Sequence, residues 1–494
     1  MRITVVGSGY VGLVAGACFA EIGHQVTLVD NDPAKYAALA AGQCPIHEEH
    51  LPELLARHRD KRLFFSNDLR VSVPSSDAIV VAVGTPPTAH GEADLSYVES
   101  VAREIAGCIE KYTVVIGKST VPVYTSDWVH RVLLLNGARA ELVDVASNPE
   151  FLREGTAVVD FLYPDRIVIG ANTKRASGVL RAMYEPLLDG SYYRRTDRFR
   201  IPGKSDCATH LIATTTKSAE LIKYASNAFL AMKISFINAV ATICDSVGAD
   251  IDEVREGIGS DARIGKRFLN PGIGYGGSCF PKDLSAYRAV ARECGYEFQL
   301  LEEVMQINKE QQKRYLRKVQ NALWTVRGKR LGVLGLSFKG GTDDIRESPA
   351  IAIVSSLLSE GAKICVYDPA AVRRAREVLP TEQISYANSI YEAAEGADAL
   401  LILTDWDEFK QADYSSIKGL LRYPIVIDGR NLLNLQKMRE LGIMYFSMGR
   451  PDVRPTAMAA PSQVKNEPLP RELSAVFGAG VVSSPASDDG LLLA

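Results

Sequence analysis

The chain has 494 residues, 47% of them hydrophobic and 23% charged, with a formal net charge of -3 at pH 7. This composition is typical of a soluble globular protein of about three domains, and it gives no electrostatic reason to expect nucleic acid or an anionic membrane as a partner. Its 8 cysteines and 7 histidines are dispersed without metal-ligand spacing, so we expect reduced thiols in a cytoplasmic protein without a metal site.

The first part of the chain, residues 1–205, alternates short apolar segments with helical patterns. "ITVVGSG" predicts a strand and a turn, "VGLVAGACFAEIG" a helix, and "QVTLVDNDP" the next strand. Further strands are predicted at "AIVVAVGTP", "TVVIGKST", "ELVDVASNP" and "RIVIG". Buried apolar strands separated by helices predict a parallel, doubly wound sheet.

The sequence "GSGYVG" follows the first strand and begins the first helix, with the spacing G-x-G-x-x-G. Glycines at these positions allow a tight turn and let the backbone approach a pyrophosphate at the helix N-terminus. We therefore expect this turn to bind a dinucleotide, although the same turn also occurs in doubly wound folds that hold no cofactor. The residues concerned are Gly7, Gly9, Tyr10, Val11 and Gly12.

Three kinds of polar residue follow the predicted strands of this region. Asp30 ends the second strand, where a carboxylate can accept hydrogen bonds from the adenosine ribose. Because an acidic group disfavours the additional phosphate of NADP, NAD is expected, although Lys35 slightly weakens that inference. Thr85 and Thr120 follow later strands, at the edge where ligands of such sheets bind.

Residues 217–248 have apolar side chains three and four positions apart and no proline. This spacing predicts a long amphipathic helix that joins two lobes, forms a subunit interface, or does both. Lys223 and Asn227 are four residues apart and share a face of this helix, either as functional groups or as part of a solvated stripe. The apolar positions are Phe229, Met232, Phe236, Val240, Ile243 and Val247. No apolar run, here or elsewhere, is expected to span a membrane.

From Lys329 the pattern of the N-terminal part returns, with a strand, a glycine turn, a helix and a second strand that ends in Asp368. A polar insertion, "FKGGTDDIRESP", separates the strand from the helix. We therefore expect a central helical region at 206–325 and a second α/β lobe at 326–450. Residues 451–494 are rich in Pro, Ser and Ala without periodicity and are expected to be disordered.

The segment "GYGGSCFPKD" (274–283) places a cysteine between glycines and a proline. Pro281 suits the first turn of a helix, so Cys279 is expected at the helix N-terminus, where the helix dipole favours the thiolate. The alternative is a small buried cysteine at a tight turn, as we expect for the other cysteines.

The segment "NPEFLREG" contains a second candidate helix start. Asn148 is a plausible cap and Pro149 a first-turn residue, which would place Glu150 and Glu154 on one helix face. The alternative is that the two carboxylates only complement the helix dipole.

Six motifs occur in order between residue 1 and about residue 450: "GSGYVGL", "NPEFLREG", "KYASNAFLAMKISFIN", "FLNPGIGYGGSCFPKD", "FKGGTDDIRESP" and "DGRN". Together they resemble the UDP-glucose/GDP-mannose dehydrogenase family. The resemblance implies two Rossmann-like doubly wound lobes joined by a long central helix, in a homodimer. It also implies a four-electron, NAD-dependent oxidation of a sugar 6-hydroxymethyl group to a carboxylate, through a thiohemiacetal and a thioester on Cys279. The expected substrate is UDP-glucose.

The resemblance also implies roles for individual residues. Six are catalytic: Cys279 as nucleophile, Lys223 and Asn227 as oxyanion stabilisers, Asp283 and Thr120 as groups that position water or relay protons, and Glu150 as base for thioester hydrolysis. Glu154, Lys282 and Arg346 are expected to contact NAD. Substrate contacts are expected from Lys223 and Asn227, from Phe151, Leu152, Arg153 and Glu154, from Phe268, Leu269, Asn270, Pro271, Gly272 and Gly276, from Lys339 and Arg430, and from Arg263 of the neighbouring subunit.

The sequence departs from the family pattern in three places, none of which removes a catalytic group. Gly340 and Gly341 follow Lys339 where a proline is usual, Pro271 stands where Ala is common, and Ala239 stands where Glu often occurs. The alternatives are the same chemistry on GDP-mannose or a UDP-N-acetylhexosamine, a two-electron β-hydroxyacid dehydrogenase, and a nucleotide-sugar-binding protein without turnover.

Overall fold

The computed structural model describes residues 1–88, 91–204, 209–379 and 382–454. The expected disordered tail, residues 451–494, lies outside the described residues apart from its first four positions. Two β-sheets form within the described ranges, and the helices between them in sequence include the two longest.

The first sheet contains the strands β1 (Arg2–Val6), β2 (Gln25–Val29), β3 (Leu63–Ser66), β4 (Ala78–Val81), β5 (Thr113–Gly117), β6 (Val143–Ser147), β7 (Ile167–Ala171) and β8 (Leu211–Thr214). Their order is β3-β2-β1-β4-β5-β6-β7-β8. The pairs from β3 to β6 are parallel, as predicted, whereas β7 pairs antiparallel with β6 and parallel with β8. Because β6 and β7 are antiparallel, the chain between them begins and ends at the same edge of the sheet. The sheet also includes β8, which follows residue 205, the limit expected for the first domain.

Helices cover both faces of this sheet, and we call the sheet and its helices (residues 1–214) the first lobe. The helices are α1 (Tyr10–Ile22), α2 (Pro33–Ala40), α3 (Leu51–His58), α4 (Leu69–Ser72), α5 (Ser96–Ala106), α6 (Thr125–Leu135), α7 (Ala157–Leu162), α8 (Lys174–Leu188) and α9 (Ser191–Arg194). Val80 and Val81 of β4 are consecutive and belong to apolar clusters on opposite faces. This burial on both faces explains why the strands are continuously apolar.

The central region consists of α10 (Thr216–Val247), α11 (Ile251–Gly259), α12 (Phe280–Glu293) and α13 (Gln299–Leu323). The predicted long helix is confirmed as α10, whose first turn is capped by the Thr215 side chain and whose end is Gly248 in the left-handed conformation (φ 78°). By length and composition alone α10 is apolar enough to cross a membrane, although the sequence was not expected to contain such a segment. In this structure 44% of its most apolar window is buried inside the protein.

The second sheet contains β9 (Arg330–Leu334), β10 (Lys363–Tyr367), β11 (Ile384–Tyr386), β12 (Ala399–Ile402), β13 (Ile425–Asp428) and β14 (Met444–Ser447). All its strands are parallel, in the order β11-β10-β9-β12-β13-β14. Its helices are α14 (Pro349–Ser359), α15 (Val372–Val378), α16 (Ile390–Ala394), α17 (Asp407–Gln411), α18 (Tyr414–Leu420) and α19 (Leu435–Glu440). We call this part (residues 329–450) the second lobe. The predicted fold class, two doubly wound lobes joined by a long helix, is confirmed, while the domain limits stay predictions.

Candidate active site

Cys279 lies directly before α12, in the segment of residues 274–283 that we call the thiol segment. Pro281 stands in the first turn of the helix, as predicted, and the Asp283 backbone N–H donates to the Cys279 carbonyl oxygen at 2.8 Å. The Cys279 side chain is half-buried. The sequence therefore correctly located this cysteine at a helix N-terminus.

The glycines of the thiol segment permit close contact with the second lobe. The Gly277 N–H donates to the Arg346 carbonyl oxygen at 2.9 Å, and its φ of +84° suits glycine. A Cβ at Gly276 would overlap with the Glu347 carbonyl oxygen. The thiol is thus carried on backbone that rests against the polar insertion of the second lobe.

Two polar residues of α10 face the thiol segment from buried positions. Lys223 Nζ lies 2.8 Å from Glu150 Oε1, and both side chains are 5% exposed. Asn227 Nδ2 donates to Asp283 Oδ2 at 2.6 Å, and these residues are 6% and 1% exposed. The predicted shared face is therefore confirmed, and it is a buried face rather than a solvated stripe.

The electrostatic environment corrects one expectation about the thiol. Burial raises the pKa of Cys279 to about 11, and the nearby Glu150 charge acts in the same direction, while Lys223 opposes them. The expectation of a thiolate at this position was wrong, because burial and the charge of Glu150 outweigh the opposing charge of Lys223, and the resting group is a thiol. Burial also acts to raise the pKa of Glu150, but the charge and hydrogen bond of Lys223 outweigh it and lower that pKa. Glu150 is therefore a carboxylate.

Residues 148–156, which we call the carboxylate loop, correct a second expectation. No helix starts at Pro149, since α7 begins only at Ala157. The Asn148 side chain is used elsewhere: its Oδ1 accepts from Lys118 Nζ at 3.0 Å and its Nδ2 donates to the Val168 carbonyl at 2.8 Å. The expected cap therefore does not form, and the two glutamates of the loop do not share a helix face.

Glu154 points to a different part of the site from Glu150. It accepts hydrogen bonds from Ser278 Oγ at 3.1 Å and from Thr342 Oγ1 at 3.2 Å, and it lies 3.6 Å from Arg346 Nη2. Burial and the charge of Asp344 raise its pKa to about 7. Glu154 thus joins the carboxylate loop, the thiol segment and the second lobe.

The glycine turn after β1 has the shape that a dinucleotide needs. Gly7 has a φ of +98°, and a Cβ there would lie 2.7 Å from the Ala82 carbonyl oxygen. A Cβ at Gly12 would overlap with the Gly7 carbonyl oxygen, whereas a Cβ at Gly9 would meet nothing within 4 Å. The turn is therefore compact on its protein side and open above Gly9, where the N-terminus of α1 can accept a pyrophosphate.

Asp30 is held in place at the end of β2. Its Oδ2 accepts from the Ser8 N–H at 2.7 Å and from the Ser8 hydroxyl at 2.6 Å, and Lys35 Nζ lies 3.9 Å away. Burial acts to raise the pKa of Asp30, but the hydrogen bond from the Ser8 side chain and those from backbone N–H groups lower it below its ordinary value. The group is a carboxylate with lone pairs left for ribose hydroxyls.

The start of α12, just after Cys279, packs against the edge of the first-lobe sheet at which Thr85 and Thr120 lie. Thr85 Oγ1 donates to the Thr120 carbonyl at 3.0 Å, and Lys282 Nζ lies 3.4 Å from Thr85 Oγ1. The same Lys282 Nζ lies 2.8 Å from Asp283 Oδ1. The predicted cofactor and catalytic residues are therefore brought together here.

Several predicted substrate residues line the second-lobe side of the site. Arg430 Nη1 donates to the Gly274 carbonyl at 3.2 Å, and its other nitrogens donate to the carbonyls of Leu403 and Phe338 at 2.8 and 2.7 Å. Burial lowers the pKa of Lys339, although Glu154 acts to raise it. The Gly272 N–H donates to Asn238 Oδ1 at 2.8 Å, which fixes the 268–272 segment on α10.

The remaining predicted substrate residues have varied surroundings. The Phe151 ring centroid is 5.4 Å from Lys223 Nζ, and Arg153 Nη2 lies 2.5 Å from Asp160 Oδ1. Arg263 lies apart on the surface, with its side chain 89% exposed and paired to Asp261 at 2.6 Å. The other members of the set are half-buried Leu152, buried Leu269 and Pro271, exposed Asn270 and Phe268, whose φ is +64°.

Sequence reasoning missed two buried groups next to the site. Lys118 is 3% exposed, burial lowers its pKa to about 8, and it holds Asn148. Because Lys118 directly follows an apolar strand, the sequence could have predicted its place at the edge of the sheet. Glu48 is 4% exposed and accepts hydrogen bonds from the carboxylate loop. No local pattern in "PIHEEHLP" indicates that role.

Comparisons with known proteins agree with this geometry. Models of the UDP-glucose/GDP-mannose dehydrogenase family match the chain in order, with its NAD binding domain at residues 1–188, its central domain at 217–310 and its UDP binding domain at 332–435. The UDP-glucose 6-dehydrogenase of Rhizobium meliloti is 45% identical over 457 residues, which are 92% of this chain and 100% of that protein. The UDP-glucose 6-dehydrogenase TuaD of Bacillus subtilis is 44% identical over 456 residues, which are 92% of this chain and 94% of that protein.

A solved structure shows the same architecture. The UDP-glucose dehydrogenase of the archaeon Pyrobaculum islandicum superposes with a TM-score of 0.80 at 36% sequence identity, covering 91% of this chain and 98% of that one. The order of the matched domains, the identity over nearly the full chain and the glycine turn open to a dinucleotide lead to one conclusion. The chain belongs to the UDP-glucose/GDP-mannose dehydrogenase family of NAD-dependent oxidoreductases.

Proposed function

We propose that this chain oxidises the C6 hydroxymethyl group of UDP-glucose to a carboxylate, using two NAD and one water for each sugar. Relatives with 44% and 45% identity over 92% of the chain are UDP-glucose 6-dehydrogenases, which supports this substrate. The observation that carries the mechanism is the buried set of Lys223, Asn227 and Asp283 around a cysteine at a helix N-terminus. A two-electron alcohol dehydrogenase has no use for that thiol.

In the first oxidation the C6 alcohol loses a proton and a hydride and becomes an aldehyde. NAD, when bound at the first-lobe turn, supplies the hydride acceptor for both oxidations. Lys223 and Asn227 donate N–H groups to the C6 oxygen as it gains negative charge. The ion pair with Glu150 and the hydrogen bond to Asp283 hold these donors in place before the substrate arrives.

In the second oxidation Cys279 makes the aldehyde able to lose another hydride. Its Sγ bonds to C6, the thiol proton is transferred away and the C6 oxygen is protonated, which gives a thiohemiacetal. Transfer of the C6 hydride and loss of the hydroxyl proton then leave a thioester. Water then adds to C6, the C–S bond breaks, and the products are the carboxylic acid and the free thiol. Glu150, a carboxylate near the thiol, removes the proton from water, while Asp283 and Thr120 hold the water.

Each of the two proposed ligand sites draws residues from both lobes. NAD contacts the turn from Gly7 to Gly12 together with Asp30, Lys35, Thr85, Thr120, Glu154, Lys282 and Arg346. The nucleotide sugar contacts the 268–272 segment, Gly276, Lys339, Arg430 and residues 151–154. The partial burial of Lys339 and Arg430 supports this role, because a partly desolvated cation near a phosphate interacts more strongly than an exposed one.

We also propose a homodimer that forms through α10. Phe229, Phe236 and Ile243 lie seven residues apart on one face and are 59%, 55% and 60% exposed. With Val247, 71% exposed, they form an apolar stripe of the kind that pairs helices. Phe236→Glu is expected to give a monomer in sedimentation velocity, and Val71→Glu, at another exposed apolar position, serves as control. A dimer that persists in Phe236→Glu would contradict this interface.

The stoichiometry of the reaction tests the proposed function. Limiting UDP-glucose is incubated with excess NAD, and the NADH formed is measured by absorbance. Two NADH for each sugar support the route, and one NADH shows that the chain stops at the aldehyde. The same assay with GDP-mannose and with a UDP-N-acetylhexosamine establishes the sugar, since faster turnover of either one would overturn the choice of UDP-glucose.

A further inference from the structure

Glu48 lies between α2 and α3 and is 4% exposed. Its Oε1 accepts from the N–H groups of Ala157 at 2.6 Å and Val158 at 3.3 Å, in the first turn of α7. Its Oε2 accepts from the Gly155 N–H at 2.7 Å and from the Tyr10 hydroxyl. One buried carboxylate therefore receives donors from two segments that are far apart in sequence.

Both segments belong to the candidate active site. Tyr10 is the first residue of α1 and directly follows Gly9, above which the dinucleotide turn is open. Gly155 lies near the end of the carboxylate loop, which carries Glu150 and Glu154. The Gly155 N–H also lies 2.7 Å from the Tyr10 hydroxyl oxygen, so the three groups form one closed network.

The same glycine is also one of the points where the carboxylate loop contacts the second lobe. Gly155 has a φ of +83°, and a Cβ there would lie 2.6 Å from the Gly341 carbonyl oxygen. Lys339, two residues before Gly341, acts on Glu48 through its charge. A shift of the Gly155 backbone would therefore change the contact between the first lobe and the insertion of the second lobe.

We propose that Glu48 is a positioning residue that couples binding of the coenzyme to binding of the nucleotide sugar, by tying the first turn of α1 to Gly155 and hence to the second lobe. This inference rests on the proposed function only in taking the two ligand positions from it. A helix cap for α7 alone would need Oε1 and not Oε2. The second oxygen, which joins Tyr10 to Gly155, is what a coupling role requires and a cap does not.

The test measures the coupling itself. UDP is titrated calorimetrically into the full chain with and without saturating NADH, and the ratio of the two dissociation constants is the coupling factor. We expect a factor of roughly 5 to 150 in the wild type, in either direction, as is typical of coupled sites. Glu48→Gln puts an amide N–H₂ against N–H or O–H donors, and it should bring the factor close to 1. Glu49→Gln, whose side chain is 67% exposed, should keep the wild-type factor.

A second variant keeps the test valid if Glu48→Gln does not fold. Tyr10→Phe removes only the hydroxyl group and should lower the coupling factor while its melting temperature stays near that of the wild type. A wild-type factor of 1 would overturn the proposal, as would variants that lose melting temperature but keep the coupling factor. Binding of UDP and NADH needs no thiol chemistry, so failure of the wild type to oxidise UDP-glucose would count against the proposed function and not against this coupling.

Discussion

The two lobes use the same turn for different purposes. Gly7 after β1 and Gly335 after β9 have nearly identical φ values of +98° and +97°, and both sheets place the first strand between the second and the fourth. In each lobe the aspartate that ends the next strand, Asp30 or Asp368, accepts hydrogen bonds from a serine directly after or near the glycine. The backbone geometry of a dinucleotide fold is therefore present twice.

The two lobes differ in the segment after the turn. In the first lobe α1 begins at Tyr10, so its N-terminus is available to a pyrophosphate. In the second lobe α14 begins only at Pro349, and the insertion before it carries Lys339 and Arg346. In the proposed function, the UDP site of this lobe therefore uses the Lys339 side chain of the insertion instead of a helix N-terminus.

The largest expected effect is at the thiol, which both lobes surround. Cys279→Ser should lower formation of UDP-glucuronate by roughly 10⁴-fold or more, as removal of a covalent nucleophile does in other enzymes. Product is measured by chromatography, and Cys294→Ser, at an exposed cysteine, is the matched control. Unimpaired turnover in Cys279→Ser would make the thiol a structural group.

Substitution of Lys339 in the second lobe should weaken binding of the nucleotide sugar and not of NAD. Lys339→Met is expected to raise the KM for UDP-glucose by roughly 10- to 100-fold, the effect of losing a hydrogen bond to a charged group, with little change in the KM for NAD. Initial rates with each ligand varied in turn give both constants. Lys363→Met, at the exposed start of β10, is the control. A larger change in the KM for NAD than in the KM for UDP-glucose would show that Lys339 contacts NAD and not the nucleotide sugar.

The two glycine turns should respond in opposite ways. Gly9→Val places a side chain in open space where NAD is expected, so the KM for NAD should rise roughly tenfold without loss of melting temperature. Gly335→Ala strains a backbone at φ +97° and meets Thr404, so it should cost about 1–3 kcal/mol of stability. The KM for NAD and the melting temperature are measured for both variants. If both variants lose melting temperature, the predicted difference between the two turns is wrong.

The two aspartates offer the smallest contrast. Asp30→Asn should lower the preference for NAD over NADP by roughly 2- to 10-fold, since one hydrogen bond to ribose is weakened. Asp368→Asn should lower the melting temperature, because Asp368 is buried and accepts from backbone N–H groups. It should leave the coenzyme preference unchanged, because Asp368 belongs to the second lobe and not to the proposed NAD site. An unchanged coenzyme ratio in Asp30→Asn would remove Asp30 from the NAD site.

Local patterns in the sequence predicted the glycine turn, the long helix α10 and the helix start at Cys279, because each depends on residues only a few positions apart. The predicted helix at Pro149 failed because Asn148 bonds to Lys118 and Val168, which are distant in sequence. The thiolate prediction failed for a related reason, since burial and the charge of Glu150, which is distant in sequence, raise the pKa of Cys279. The role of Glu48 depends on donors more than a hundred residues away at Gly155, and no local pattern shows it.

The central claim is that the sugar becomes covalently bound to Cys279 as a thioester. Glu150→Gln should slow hydrolysis of that bond while it keeps the shape of the side chain beside Lys223. The variant is mixed with UDP-glucose and NAD, quenched in acid, digested and analysed by mass spectrometry. We expect a UDP-glucuronyl adduct on the peptide that contains Cys279. NADH formation beyond one per sugar with no adduct at Cys279 would contradict the thioester route.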